Sequence, residues 1–288
     1  MIYARLLGGL GNQLFQYAAG RALALRLGVE LVLDMRAAGR APAHFRPALH
    51  HFGIEYRDDV DLPPDKTRPL AYAIWRYGGG RPKFYRERGL GFNQAVFQAP
   101  DDTYLHGYFQ SERYFSDQID AIRKDLRIVT PPGPANAAAL EEIGAAGMPV
   151  SLHVRRGDYV NDAKGARMHG TCDASYYRAA LDLLDARLGT ELSVFVFSDD
   201  PDWARENLAL GRPVRVFDHN GPERHYEDLR LMAACRHNVI ANSTFSWWGG
   251  WMNPSPDKIV VAPRRWFADP SASNPDILPA SWVAIEGA

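Results

Sequence analysis

Long apolar runs are missing from this chain of 288 residues. None approaches the roughly 18 residues that a membrane span needs. Near the N-terminus, Arg5-Leu6-Leu7 opens a signal-like stretch, but Asn12, Gln13 and Gln16 interrupt it, so Met1 is read as the start of the first folded strand. Cysteine is equally scarce. Cys172 and Cys235 are too few for a disulfide framework and suit a reducing compartment. Charge excess is lacking as well: 33 Lys and Arg face 34 Asp and Glu, for a net charge of -1. That balance removes any general electrostatic case for nucleic acid or an anionic membrane, and leaves an anionic ligand to local features. There are no repeats and no low-complexity tracts.

What is present is core-forming material. Hydrophobic residues make up 46% of a chain long enough for two medium domains. Ile2–Leu7 has the pattern of a strand, followed by Gly8-Gly9-Leu10-Gly11. Leu14, Phe15, Ala18, Ala22 and Leu25 then recur at helical spacing until Gly28. Val29–Leu33 is a second expected strand, ending at Asp34, so the opening is a β-α-β unit. From Ala37 to about Pro100 the chain is rich in Pro, Gly, Arg and Tyr, and irregular segments are expected. Thr130-Pro131-Pro132-Gly133-Pro134 is the best linker. Beyond it, strands are expected at Pro149–Val154, Ser193–Ser198, Val214–Phe217, Asn238–Ala241 and Lys258–Ala262. A helix over Ala174–Leu188 would be capped by Asp173. The expected architecture is α/β, with two Rossmann-like domains at 1–133 and 134–288 and a site in the cleft between them.

Four segments carry chemistry. In His153-Val154-Arg155-Arg156-Gly157-Asp158, alternation along a strand puts His153 and Arg155 on one face. The run falls at the carboxyl end of its strand, where open α/β sheets bind ligands. Two adjacent arginines suit a phosphate, or else are salt-bridged to Asp158 and other carboxylates. The second segment, Asn242-Ser243-Thr244-Phe245-Ser246, joins a strand to a helix, and such a junction is either a phosphate cradle or a simple N-cap. Trp247, Trp248 and Trp251 in that helix suit core packing better than stacking on sugars. The third, Gly8-Gly9-Leu10-Gly11-Asn12-Gln13, imitates a dinucleotide fingerprint with Asp34 as its acidic partner. Leu14 stands where the third glycine belongs, and this counts against a nicotinamide-dependent oxidoreductase. In the fourth, Asp200-Pro201-Asp202 matches the metal-holding Asp-x-Asp of some glycosyltransferases. Its place after a strand favours a helix start, and no other spacing suggests a metal.

Together these runs resemble the family 11 glycosyltransferases, the bacterial α-1,2-fucosyltransferases. The matching stretches are Gly8 to Ala18, Gly107-Tyr108-Phe109-Gln110-Ser111, His153 to Tyr159 and Phe197-Ser198-Asp199-Asp200, then Asp228 to Gly249. They span residues 8 to about 253, with nothing matched from about 36 to 100. The resemblance implies a GT-B type fold with two facing Rossmann-like domains, GDP-fucose as donor, inversion at the sugar, and no metal or other cofactor. It assigns Arg155 to the phosphate nearest fucose, with His153 beside it in the same motif. It assigns Asp228 to guanine, Ser243, Thr244 and Phe245 to the phosphates, and Gly11 and Asn12 to the fucose and pyrophosphate. Asp158 or Asp162 is a candidate general base, and a reaction without a dedicated base stays open. The acceptor implied is a galactose-containing glycan of lipopolysaccharide or capsule, or a lactose-like oligosaccharide. Linkage and acceptor could differ, and a non-enzymatic carbohydrate-binding module is a remoter alternative. The expected place is the cytoplasm, with peripheral attachment to the inner membrane and oligomeric state left open.

Overall fold

The opening alternation folds as β1 (Ile2–Arg5), α1 (Leu10–Leu27) and β2 (Leu31–Asp34) in the computed structural model, which describes residues 1–40, 46–157 and 163–286. Helix α1 ends at Gly28, whose left-handed backbone returns its N–H to the carbonyls of Ala24 and Leu25. Leu10, Leu14, Phe15, Ala18 and Ala22 are buried. Close approach of α1 to β1 falls at Gly20, where a Cβ would lie 2.9 Å from that of Ala4. In a dinucleotide fold that approach belongs to the third glycine of the loop, here Leu14.

The region expected to be irregular contains more order than its composition suggests. It holds α2 (Arg36–Gly39), α3 (Pro69–Tyr77) and β3 (Lys83–Arg86), and it leads into β4 (Thr103–His106) and α4 (Ile119–Asp125). The four strands are parallel, in the order β2-β1-β4-β3. One face is covered by Tyr72 and Trp75 of α3, which pack on Tyr3, Val32 and Tyr104. These elements form one unit, Met1–Val129, joined by a short return of the chain at Asn274–Ile277.

The second unit comprises Thr130–Ser273 and Leu278–Ala288. Its elements are α5 (Pro134–Ala145), β5 (Pro149–Val154), α6 (Ala163–His169), α7 (Ala174–Leu188), β6 (Ser193–Ser198) and α8 (Pro201–Asn207). Then come β7 (Val214–Phe217), α9 (His225–Ala234), β8 (His237–Val239), α10 (Thr244–Met252), β9 (Val260–Pro263) and β10 (Val283–Ile285). All six strands are parallel, in the order β10-β9-β8-β5-β6-β7. Strand β5 is buried along its whole length, as a central parallel strand must be. Tyr176, Tyr177, Ala180, Leu181 and Leu184 of α7 pack on Leu152, Val154, Val196 and Val239. Truncating a leucine in such a cluster costs about 2–5 kcal/mol. Trp247, Trp248 and Trp251 are at most 2% exposed and pack with one another, so they are core and no platform for a sugar. Among the described residues no helix is long and apolar enough to cross a membrane.

Candidate active site

Strand order in the second unit reverses between β5 and β8, one running out to β6 and β7 and the other to β9 and β10. At such a switch point the loops after the two strands diverge and leave a crevice at their carboxyl ends. The residues that follow β5 and β8 are Arg155 and the Asn242–Ser246 turn.

Arg155 lies just past the end of β5. Its guanidinium meets the Asp199 carboxylate at 2.8 Å, and the other oxygen of Asp199 accepts the backbone N–H of Arg156, also at 2.8 Å. Asp199 stands after β6, the neighbour of β5, so the sheet itself brings the two together. Gly157 is required there, since a Cβ would sit 2.5 Å from Asp199 Oδ2. Arg156 turns to Asp200 at 3.4 Å and lies over the Trp203 ring. Sequence reasoning left these arginines open between phosphate and carboxylates. The carboxylates that hold them are Asp199 and Asp200, and Asp199 had been given no role. Asp158 and Asp162, the candidate bases, lie outside the described residues.

His153 is 4% exposed, and its ring packs on Phe245. Burial, reinforced by the Arg155 charge, pushes its pKa down to about 3, so the imidazole is neutral. Its buried Nδ1 has no hydrogen-bond partner among the described residues. His153 therefore underlies the Asn242–Ser246 turn and supports Phe245, which also faces His225. Helix α10 starts after Ser243, whose hydroxyl accepts the N–H of Phe245 at 3.3 Å. This cap fixes the first turn. Asn242 braces the turn from behind by donating to the carbonyls of His169 and Trp266.

Asp228, in the first turn of α9, accepts a hydrogen bond from Asn220 at 2.8 Å. Asn220 and Asn136 exchange hydrogen bonds, and His219 joins them through Asn136. Burial raises the Asp228 pKa to about 7 against the pull of Asn220, with Glu227 adding to the rise. A carboxylate held in this state has a strong preference for a ligand that donates hydrogen bonds to it.

The Asp-x-Asp is a helix start. Asp200 caps α8 by accepting the N–H of Trp203, and Asp202 pairs with Arg205. Cys172 and Cys235 are free thiols, and burial pushes Cys172 up to about 11.

In the first unit, whose strands run in the order β2-β1-β4-β3, β1 and β4 are neighbours. The glycine loop follows β1 and the Gly107–Gln110 run follows β4. Gln110 donates to Asn12 Oδ1 at 2.7 Å, and Gln16 binds both Leu7 and the carbonyl of Gly107. Glu87 accepts the N–H groups of Tyr108 and Phe109 and the Tyr114 hydroxyl. Gln110 in turn accepts from Asn274. Glu87 and Asn274 are site supports that sequence reasoning missed. Asp34, the would-be ribose ligand of a dehydrogenase, is 2% exposed and occupied by Arg36 and Tyr104.

Known proteins are similar to this chain in sequence and in fold. The model of glycosyl transferase family 11 matches residues 84–286. The O-antigen biosynthesis glycosyltransferase WbnK of Escherichia coli is 31% identical, covering 99% of this chain and all of its own. An alpha-1,2-colitosyltransferase of Escherichia coli is 30% identical over 99% of each chain. Galactoside alpha-(1,2)-fucosyltransferase 2 of Rattus norvegicus is 35% identical over 85% of this chain and 65% of its own. Among solved structures, the alpha-1,6-fucosyltransferase NodZ co-crystallised with GDP matches with a TM-score of 0.52 at 16% identity, over 88% of this chain and 92% of that one. At that identity the likeness establishes fold alone, and the fold is of GT-B type. With the whole-length relatives and the family match in agreement, this chain belongs to glycosyl transferase family 11.

Proposed function

We propose that this glycosyltransferase moves fucose from GDP-fucose to the 2-hydroxyl of a terminal galactoside, with inversion and without a metal. The observation that carries this reading is the pairing of Arg155 with the start of α10 at one switch point of a six-stranded parallel sheet. Departure of GDP builds negative charge on its outer phosphate. Fixed donors aimed at that charge lower the barrier, and they do so without a cation. Arg155, oriented by Asp199, supplies a planar fork of donors. The N–H groups of the first turn of α10 supply more, with the positive end of the helix dipole behind them. Ser243, Thr244 and Phe245 form that turn, and His153 backs it. Asp228 receives guanine, whose N1–H and N2 amine present two donors to one carboxylate. In this reading residues 134–288 bind the donor and residues 1–133 serve the acceptor, with Gly11 and Asn12 contacting the sugar. Asp158 or Asp162 takes the acceptor's proton, unless the hydroxyl attacks unaided. The free thiols suit the cytoplasm.

The relative named for colitosyl transfer makes the donor sugar the second reading. An assay separates them: GDP-fucose and GDP-colitose are offered with a panel of β-galactosides, with and without EDTA, and the product linkage is read by NMR. A fucosylated 2-hydroxyl in the presence of EDTA is expected. Transfer of colitose alone, a different linkage, or activity that dies on chelation and returns with Mn²⁺ would each refute the corresponding part.

A further inference from the structure

Charge is not spread evenly along the first unit. From Lys66 to Arg86 the chain carries six cations (Lys66, Arg68, Arg76, Arg81, Lys83 and Arg86) and no acidic residue, in a protein whose net charge is -1. Asp102 reaches Arg81 at 3.5 Å. Among the described residues the other five make no ion pair with a carboxylate. The local field is felt by His106 at the end of β4. Burial and the charges of Arg5, Arg86, Lys66 and Arg76 push its pKa down to about 4.

Helix α3 lies inside this segment and is two-faced. Tyr72 and Trp75 point inward onto the sheet. Leu70, Ile74 and Tyr77 point outward and are 74%, 63% and 76% exposed. Their spacing of four and three residues makes a single stripe. Six large hydrophobic side chains are exposed among the described residues, and half of them sit on this one helix. Such concentration differs from the isolated exposed apolar residues normal on a soluble surface. Arg76 flanks the stripe, lying over the rings of Tyr77 and Phe84.

An apolar stripe flanked in sequence by cations, among which Arg81 alone meets a carboxylate among the described residues, narrows the choice of what covers it. A second copy of the chain would bring two positive segments face to face, and their repulsion opposes that contact. A helix of nine residues is far too short to span a bilayer. It is well suited to lie in the plane of one, with apolar side chains at the acyl boundary and cations among anionic headgroups. We propose that α3 and its flanking cations dock this protein reversibly on an anionic bilayer surface. Leu70, Ile74 and Tyr77 are the inserting residues, and Lys66, Arg68, Arg81 and Lys83 provide the electrostatic attraction.

Flotation of the full chain with vesicles tests this directly. Phosphatidylcholine vesicles containing phosphatidylglycerol should bind roughly tenfold more protein than phosphatidylcholine alone, with salt reducing the difference. The combined Leu70→Ser, Ile74→Ser and Tyr77→Ser variant should lose roughly tenfold in binding, as should the combined Lys66→Glu and Arg68→Glu variant. All five side chains are exposed, so melting temperature should stay near that of the parent. Equal recovery on both vesicle types, or unchanged binding by both variants, would overturn the proposal. So would concentration-dependent dimers without lipid that the triple-serine variant abolishes, because the stripe would then be a self-association face.

Discussion

At the corner between β5 and β8 arginines are held by carboxylates, whereas at the corner between β1 and β4 the side chains nearest the mouth are amides, with Glu87 bracing the loop behind them. Arg155 and Arg156 are clamped by Asp199 and Asp200, acids from the neighbouring strand's end. Asn12, Gln16 and Gln110 hold the other corner by neutral hydrogen bonds to each other and to loop carbonyls. A clamped arginine keeps its charge in place before any ligand arrives, so little reorganisation is needed when a phosphate becomes more negative. Amides offer donors and acceptors together, the pairing a polyhydroxylated sugar requires. The carboxyl ends of two neighbouring-strand pairs thus differ, one holding paired charges and the other interlocked amides.

The harshest way to break this contrast is to remove the cation. Arg155→Ala should lower turnover by about 100-fold or more, with the protein still folded, and Arg155→Lys should rescue little because an ammonium lacks the planar fork. Near-normal kcat in either variant would move the phosphate role elsewhere. Removing the clamp comes next. Asp199→Ala leaves Arg155 charged but loosely held, and kcat should fall roughly tenfold while acceptor KM is unchanged. Steady-state kinetics checks this, and a rise in KM alone would argue against positioning.

Asp228 sharpens the ionic side. Asp228→Asn should weaken GDP binding about tenfold, measured by calorimetry, since the new amide turns a donor toward guanine's own donor. A pH series adds a sign. The folded pKa is raised from an ordinary carboxylate value to about 7, so the apo protein loses stability from this group as pH rises through that window. The parent should therefore melt no higher than Asp228→Asn at pH 8, and the two should differ in the opposite sense, or not at all, near pH 4. GDP affinity of the parent should fall as pH drops below about 7, because protonation removes an acceptor. A variant that melts early at every pH and keeps its GDP affinity would make Asp228 a structural cap. The smallest effect is expected on the amide side. Asn12→Ala should raise the KM for GDP-fucose by roughly threefold to tenfold and change affinity for GDP, which lacks the sugar, far less. A selective loss of GDP affinity instead would erase the distinction between the corners.

Legibility in the sequence follows burial. β5, β6, β7 and α7 run over the residues expected of them, because buried strands form apolar runs bounded by strong stops such as Pro149, Asp173 and Gly189. β8 and β9 are each displaced by a residue or two. Ile240 still donates its N–H to Val261 just past β8, and Ala241 stays buried beyond it, so burial alone overstates the strand. α3 escaped notice because it is only nine residues long, has no side-chain cap at its start and lies between stretches rich in Pro and Gly, and β3 is a short, half-exposed edge strand. The arginines at the site were legible as residue types. Their holder Asp199 was not, because only the pairing of β5 with β6 brings it near. Glu87 was illegible for the same reason, since its partners at Tyr108 and Phe109 lie across a strand and a turn.

The return of the chain at Asn274–Ile277 has consequences for modularity. Asn274 donates to the Gln110 carbonyl, while Asp276 accepts from Phe92 and Arg113. The first unit is therefore discontinuous in sequence, completed by four residues encoded near the far end of the chain. A gene fragment cut after Val129 would express a body lacking these three hydrogen bonds. Chimeras that exchange first units between relatives must carry residues 274–277 with the N-terminal piece, or the graft will inherit a mismatched clasp. The two units therefore cannot be exchanged as contiguous stretches of chain without rebuilding that clasp.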